Sequence, residues 1–426
     1  MSTLWLVAEK LISIAMSLLV TVAVARHLLP DQFGQLNYLI ALVSLASPLL
    51  ALGLNSIISR ELLRRPEDNQ KIMGSAITLR ALSAICVVPV AIWVASLYLV
   101  ESQITLFTVL MLFSVFNAAQ VVDFWLQAHL ASRYGAVLRL VSLIVFSAAK
   151  LGAIKYSAGL SIFVYLAAFE MAFIALLYLF AYGRLSGGLG KLRISLEESK
   201  RLVRDGRWLI ISGVAAVIYL KIDQVMLGMM IDDRAVGIYA AAARVSGVWY
   251  FIPAAIAASF FPRLIKQREA SQASYRLELQ KINDFLFCSG FAIAVLVSLL
   301  ANWLTLLFGE AYIDSVPVLV AHIWAGVFVF TRALLSKWLI TENLLKLSMF
   351  SQVLGAAVNV MLNVKLIPLY GPVGAAYATL ASYAVAGYLV LFLHRDLWPM
   401  AIVVTKSVLL PVRFIVKGRR LYKAKH

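Results

Sequence analysis

Charge is scarce in this chain: only 14% of its 426 residues are Asp, Glu, Lys or Arg, where a soluble domain carries about 25%. Cysteine is nearly absent. Cys86 and Cys288 both lie in apolar runs, which excludes a disulfide scaffold and a thiolate metal centre. The five His residues are scattered, and there is no nucleotide-binding loop, no paired metal-ligand spacing and no nucleophile motif. Nothing in the residues therefore implies a cofactor or a metal. Long polar loops are missing too: the longest connections, 183–207 and 261–283, are short and helix-like. They leave no room for a soluble catalytic domain, so an enzyme is the less favoured class.

What is present is apolar. Hydrophobic residues make up 62% of the chain and the mean hydropathy is +0.89. A span needs about 20 such residues, and the runs are continuous over that length instead of alternating with period two, which excludes a transmembrane β-barrel. The fold class is an all-α polytopic membrane protein. The runs predict twelve helices near 4–25, 36–58, 73–98, 104–127, 135–154, 159–182, 208–230, 235–260, 284–308, 315–338, 345–366 and 372–393. The first run carries Glu9 and Lys10, is too long for a signal-peptide core, and reads as a retained span.

The net charge of +17 is placed unevenly. Arg60, Arg64, Arg65 and Lys71, then the basic residues of 184–207 and 263–281, fall on one side of the spans. The other side holds only Arg26, Lys155, Arg234 and Lys365. By the positive-inside rule both termini are cytoplasmic, and nucleic acid is not the expected partner. Beyond Arg395 the stretch Met400 to Val416 is apolar yet carries Lys406, Pro411 and Arg413. It reads as a basic interfacial helix against anionic headgroups or as a poorly ordered tail.

Two segments on the sparsely charged side read alike. His27-Leu-Leu-Pro-Asp-Gln-Phe-Gly34 precedes helix 2, and Ile231-Asp-Asp-Arg-Ala-Val-Gly237 precedes helix 8. A third echo, Tyr370-Gly-Pro-Val-Gly374, stands between helices 11 and 12. Six helices separate the first two, so both halves begin on the same side, as in a parallel repeat about an axis along the membrane normal. This divides the chain into a six-helix lobe at 1–183, a linker at 184–207, a second six-helix lobe at 208–394 and a basic tail at 395–426.

At these residues the sequence resembles the polysaccharide or O-antigen flippases of the multidrug/oligosaccharidyl-lipid/polysaccharide exporter superfamily. The strings that carry the likeness are Ala25 to Gly34, Gly53-Leu-Asn-Ser-Ile-Ile-Ser-Arg60, Ile222-Asp-Gln-Val-Met-Leu-Gly228 with Val236-Gly-Ile-Tyr239, and Tyr370 to Ala376. The resemblance implies alternating access. It also implies translocation of undecaprenyl-pyrophosphate-linked oligosaccharide from the inner to the outer leaflet of the bacterial inner membrane, for O-antigen, lipopolysaccharide or other surface polysaccharide. Membrane lipids and polysaccharide polymerase or assembly proteins are the implied partners, and a single chain with both lobes could work alone. The alternatives are a drug exporter of the same superfamily, or a membrane-embedded glycan polymerase or acyltransferase.

Charge at bilayer depth costs at least ~2.5–3.5 kcal/mol, so its presence there marks candidate sites. A pyrophosphate-binding cationic lumen would draw on Arg80, Lys150, Lys221, Arg244 and Arg332, since Arg and Lys both bind phosphate oxygens. Lys10 and Arg139 sit close enough to helix ends to snorkel. Glu170 and Asp223 are candidate ion-coupling or lobe-stabilising carboxylates. At ~1.5 Å per residue, Asp223 and Arg244 lie about 10 and 14 Å from their outer helix ends, level enough to pair. Asn117, Gln120, Asp123 and Gln127 fall within about 120° of one face; with Asn359 and Asn363 they either line a polar path or bond between helices.

Overall fold

A computed structural model describes residues 2–410 and 413, and among these there is helix and no strand. Bilayer hydrocarbon cannot satisfy an open backbone, and the helix satisfies its own. Ten apolar helical stretches are long enough to cross a membrane. Two of them are too long to cross only once. The stretch Glu9–Ala51 has 43 residues and Leu345–Phe392 has 48, each about twice the ~30 Å of hydrocarbon at 1.5 Å per residue.

Both long stretches break where the sequence dictates. In α1, Ser2–Ala51, the chain leaves helical geometry at Leu29 (φ 60°), directly before Pro30. In α14, Leu345–Gly387, it does so at Gly371 (φ 57°), directly before Pro372. Proline removes a donor and disfavours the helical region for the residue preceding it, so each long helix becomes two antiparallel-capable spans. Ten stretches with two breaks give the twelve helices the runs predict. The remaining spans are α3 (Asn69–Ser96), α4–α5 (Glu101–Phe113 and Val121–Ala128), α6 (Ser132–Lys155), α7 (Leu160–Leu185), α8 (Leu196–Met230), α9–α10 (Asp233–Gly247 and Phe251–Ala270), α11 (Gln272–Leu299) and α13 (Ser315–Thr341).

The helix expected at 36–58 is not continuous. It ends at Ala51, turns through Leu52 (φ 52°) and Gly53 (φ 61°), and resumes as α2, Leu54–Arg64. Two successive left-handed residues cannot be helical, and Gly53 has no space for a side chain against Leu209 and Ile210 of α8. The helix expected at 104–127 is also altered, because Ser114–Gln120 winds as a 3₁₀ segment between α4 and α5. Residues three apart eclipse in a 3₁₀ turn, which brings Gln120 Nε2 to 2.9 Å from Asn117 Oδ1 as its donor.

By contacts the described chain forms two compact units. The first holds the residues up to Gly228 with Asp232–Gly237, and the second holds Met229–Ile231 with the residues from Ile238 onward. Within the first unit, α8 lies along the second half of α1 through a seam of glycines. Gly206, Gly213 and Gly228 face Leu52, Pro48 and Tyr38 at distances that leave a side chain little or no room.

The tail enters the second unit's core. Residues Trp398–Val408 form α15 (the six-residue Trp303–Phe308 being α12), and Met400, Ala401, Val403 and Val404 pack with Leu279, Leu286 and Trp338. Ser407 donates to Asp284 Oδ1 (2.6 Å) and accepts from Asn283 Nδ2 (2.8 Å), while Arg413 reaches Asp284 at 3.1 Å. The apolar face of Met400 to Ser407 is thus spent on protein. The basic end from Lys417 onward lies outside the described residues.

Candidate functional site

Six ionisable side chains inside the spans of the first unit, Glu9, Arg80, Asp123, Arg139, Lys150 and Glu170, fall into three groups. The most isolated is Arg80. It continues the row Ile72, Ala76, Ala84 and Val88 on the buried face of α3, and that i, i+4 spacing drives it inward. It is 3% exposed. Its guanidinium donates to Asn55 Oδ1, a neutral amide just after the Leu52–Gly53 turn. Its Nε has no partner, and no carboxylate lies in salt-bridge range of Arg80 among the described residues. One turn on, Ser83 Oγ donates to Leu49 O at 2.8 Å, so α3 clasps the α1–α2 turn from one side.

The second group joins four helices. Arg139 Nη1 donates to Asp123 Oδ1 at 2.7 Å, and its Nε lies 3.8 Å from Glu9 Oε1. Gln127 Nε2 donates to Asp123 Oδ2 at 2.9 Å, and the buried Tyr178 of α7 stands beside the same pair. A Cβ on Gly135 would stand 2.5 Å from Asp123 Oδ1, so the glycine admits the carboxylate. The expectation that Arg139 snorkels is corrected here: an ion pair with Asp123 holds it. Two carboxylates share one guanidinium.

The third group is a pair. Lys150 Nζ donates to Glu170 Oε2 at 2.8 Å, both side chains being partly exposed. Each neutralises the other at a depth where neither could stay charged cheaply. Glu170→Gln is expected to lower the melting temperature in detergent, and a Lys150→Glu/Glu170→Lys exchange to restore it. An exchange that leaves stability low while Glu170→Gln abolishes ion dependence of transport would instead assign the carboxylate to coupling.

In the second unit Asn359 and Asn363 are fully buried. Asn363 Nδ2 donates to Asn359 Oδ1 (3.2 Å) and Asn359 Nδ2 to Ser382 Oγ (3.4 Å), while Thr379 and the Tyr239 hydroxyl bond at 3.1 Å. This ladder ties the two halves of α14 to each other and to α9. Arg332 donates to Ala386 O at 2.6 Å and to Ser351 Oγ at 3.4 Å. Asp223 is 3% exposed and belongs to the first unit with Lys221, whereas Arg244 is exposed and belongs to the second.

Tyr178, Gly135 and the buried His322–Ser246 bond (2.8 Å) carry no sequence signal, and Asn55 shows in the sequence only as a member of the Gly53–Arg60 string. Each acts across more than one helix, and no local spacing announces it. The same holds for a network beyond the span ends, where Glu61 of α2 is 1% exposed. It accepts from Arg60 (3.0 Å) and Arg65 (2.8 Å) and lies 3.2 Å from Arg201 of α8, while Arg65 also reaches Glu198 (2.7 Å). Burial alone would raise the Glu61 carboxyl, but the hydrogen bonds from Arg65 and Arg60 and the charge of Arg201 bring it below its ordinary value. The Glu198 and Glu61 bonds likewise raise Arg65.

A carboxyl depressed on folding stabilises above its unfolded value and loses that contribution as pH falls through the folded one. Glu61→Gln is therefore expected to cost about 1–2 kcal/mol near neutrality, reduced from the buried figure because Arg60 and Arg201 reach solvent. The gap to the natural protein should close as the pH drops below the carboxyl's ordinary 4.5. Melting curves from neutral to acid pH in detergent would show it; a constant gap rules the ionic account out.

The chain as a whole has the fold of the transporters that include lipid II flippase MurJ and the MATE multidrug transporters. MurJ in its inward closed conformation matches over 97% of this chain and 93% of its own, with a TM-score of 0.69 at 14% identity. An inward-facing MATE transporter of the MOP superfamily matches over 95% and 94%, with a TM-score of 0.65 at 15% identity. Identities this low establish the fold. The chain belongs to the polysaccharide biosynthesis protein family, whose profile matches residues 1–268. Among curated relatives, the probable low-salt glycan biosynthesis flippase Agl15 of Haloferax volcanii is 24% identical over 209 residues, covering 47% of this chain and 44% of Agl15. The probable flippase AglR of the same organism is 28% identical over 184 residues, covering 40% and 37%. The matched region spans less than half the length of either relative.

Proposed function

We propose that this protein is a flippase that moves an oligosaccharide linked to undecaprenyl pyrophosphate from the inner to the outer leaflet of the bacterial inner membrane, by alternating access, for surface polysaccharide such as O-antigen. The observation that carries this reading is Arg80: a buried guanidinium at membrane depth, bonded among the described residues only to an amide, in a chain of the polysaccharide biosynthesis family with the fold shared by MurJ and the MATE transporters. A cation of that kind is balanced when an anion arrives, and a diphosphate presents oxygens that a guanidinium can bind with two parallel bonds. Arg332, Lys221 and Arg244 supply further positive charge for the headgroup, and Lys150 does so when released from Glu170. Asp223, with Glu170, is the carboxylate proposed to couple or stabilise the cycle. The polar groups Asn117, Gln120, Asp123 and Gln127 are suited to sugar hydroxyls.

The lipid tail can remain in the bilayer while the polar head crosses, since only the head faces the high barrier. The inner termini, and action as a single chain, belong to the same proposal. Deleting the gene and measuring polyprenyl-pyrophosphate-linked oligosaccharides by mass spectrometry tests it. Complete repeat units should accumulate while surface polymer disappears, and the accumulated species names the glycan. An unchanged lipid-linked pool overturns the proposal and favours export of another solute; a change confined to polymer length favours an enzyme.

A further inference from the structure

A second feature of the first unit contains none of the residues proposed for translocation. After α7 ends at Leu185 the chain turns through two left-handed glycines, Gly187 and Gly188, makes a short 3₁₀ turn at Leu189–Lys191, and runs without helix to Leu196. This strip is pinned. Arg193 N donates to Gln70 O at 3.1 Å, and Ser75 Oγ donates to Ser195 O (3.2 Å) while accepting from Ser195 N (3.1 Å). Gly74 leaves no space for a side chain under the Arg193 carbonyl. Leu192 turns inward against the core.

The other side chains of the strip point out. Ile194 is 70% and Leu196 72% exposed, with Leu189 also exposed. Between and beside them stand Arg184, Lys191 and Arg193, all exposed and without a carboxylate in salt-bridge range among the described residues. Leucine and isoleucine this exposed, held on a fixed backbone, are unfavourable in water. Their depth offers something else. The strip begins where the apolar stretch of α7 ends at Leu185 and packs on the first two turns of α3, at Gln70, Gly74 and Ser75, which is headgroup level for any bilayer those helices cross. Apolar side chains there enter the acyl boundary while Lys and Arg stay with the phosphates.

We propose that residues 184–196 form a binding strip for anionic phospholipid headgroups, with Ile194, Leu196 and Leu189 seated against the acyl boundary and Arg184, Lys191 and Arg193 on the phosphates. The occupant is a bilayer lipid, argued from charge complementarity and from the level of the strip. Its backbone is fixed by main-chain and Ser75 bonds, so the exposed cations can be removed without disturbing the fold.

The test uses the full chain in nanodiscs of phosphatidylethanolamine mixed with phosphatidylglycerol, released for native mass spectrometry so that retained lipids are identified. The natural protein should retain phosphatidylglycerol in preference. Lys191→Gln/Arg193→Gln should lose that preference by on the order of 25-fold, about fivefold for each charge removed. Lys155→Gln, at the opposite end of the α6–α7 pair, should leave it intact, and Ile194→Ser/Leu196→Ser should weaken it. Equal retention by the natural protein and the double Gln variant overturns the proposal, as does an equal loss in Lys155→Gln, which would make the effect one of net charge. None of these outcomes bears on whether the protein flips a glycan, because the strip contains no residue proposed for translocation.

Discussion

Gly34→Ala and Gly237→Ala are each expected to deplete the protein from the membrane fraction. The two glycines belong to the first and second copies of the repeated segment, and in the first unit the copies cross at them. A Cβ on Gly34 would overlap the Asp233 carbonyl and stand 2.7 Å from Gly237 N; one on Gly237 would overlap the Pro30 carbonyl and stand 3.1 Å from Gly34 N. Small residues let helix backbones approach in this way. Overpacking usually costs about 1–3 kcal/mol when side chains can rotate aside. A backbone carbonyl within a helix cannot rotate aside, so the cost here should be at the upper end or beyond, a large share of a total stability of about 5–15 kcal/mol. Gly152→Ala is the control, since nothing lies within 4 Å of its Cβ position. Natural yield and melting temperature in both crossing variants would show that the copies do not meet at the glycines.

Replacing Arg80 by Met should separate stability from transport. A buried charge with one neutral partner is costly, and an apolar side chain of similar length is often neutral or stabilising in its place. The melting temperature of Arg80→Met is thus expected to hold or rise. Transport should fall about 10- to 100-fold, the range of a lost charge-assisted bond of about 1.5–3 kcal/mol to phosphate. Accumulated lipid-linked oligosaccharide in cells carrying the variant measures this. Normal transport would remove Arg80 from the substrate path, and loss of the folded protein would make it a structural residue that holds the Asn55 turn.

The helices are legible in the sequence for a physical reason: continuous apolar runs of span length have few alternatives in a bilayer. Even the kinks before Pro30 and Pro372 sit where two adjacent helices were expected. Arg80 was also legible, because any charge at that depth is conspicuous. Its neighbour Asn55 was not, since the contact depends on the Leu52–Gly53 turn breaking a helix that hydropathy alone would continue. Position near a helix end predicts that Arg139 snorkels. Its partners Asp123 and Glu9 come from two other helices, and no spacing along the chain encodes that meeting. The repeat was visible as recurring glycines, whereas their crossing is a property of packing. Asn359 and Asn363 showed the right polarity, but sequence could not decide between a path and the buried ladder to Ser382 in which they lie.

The docking of α15 sets an order on biosynthesis. Met400, Val403 and Val404 complete a core whose other members, Leu279, Leu286 and Trp338, are made far earlier, and Ser407 supplies the hydroxyl that Asn283 and Asp284 share. Until the ribosome has released that stretch, the second unit carries an open apolar face and a half-satisfied carboxylate. At about 5–20 residues per second, the residues between Trp338 and Ser407 take several seconds to appear. The second unit therefore closes last, and during that interval it is the part of the nascent protein most exposed to quality-control proteases.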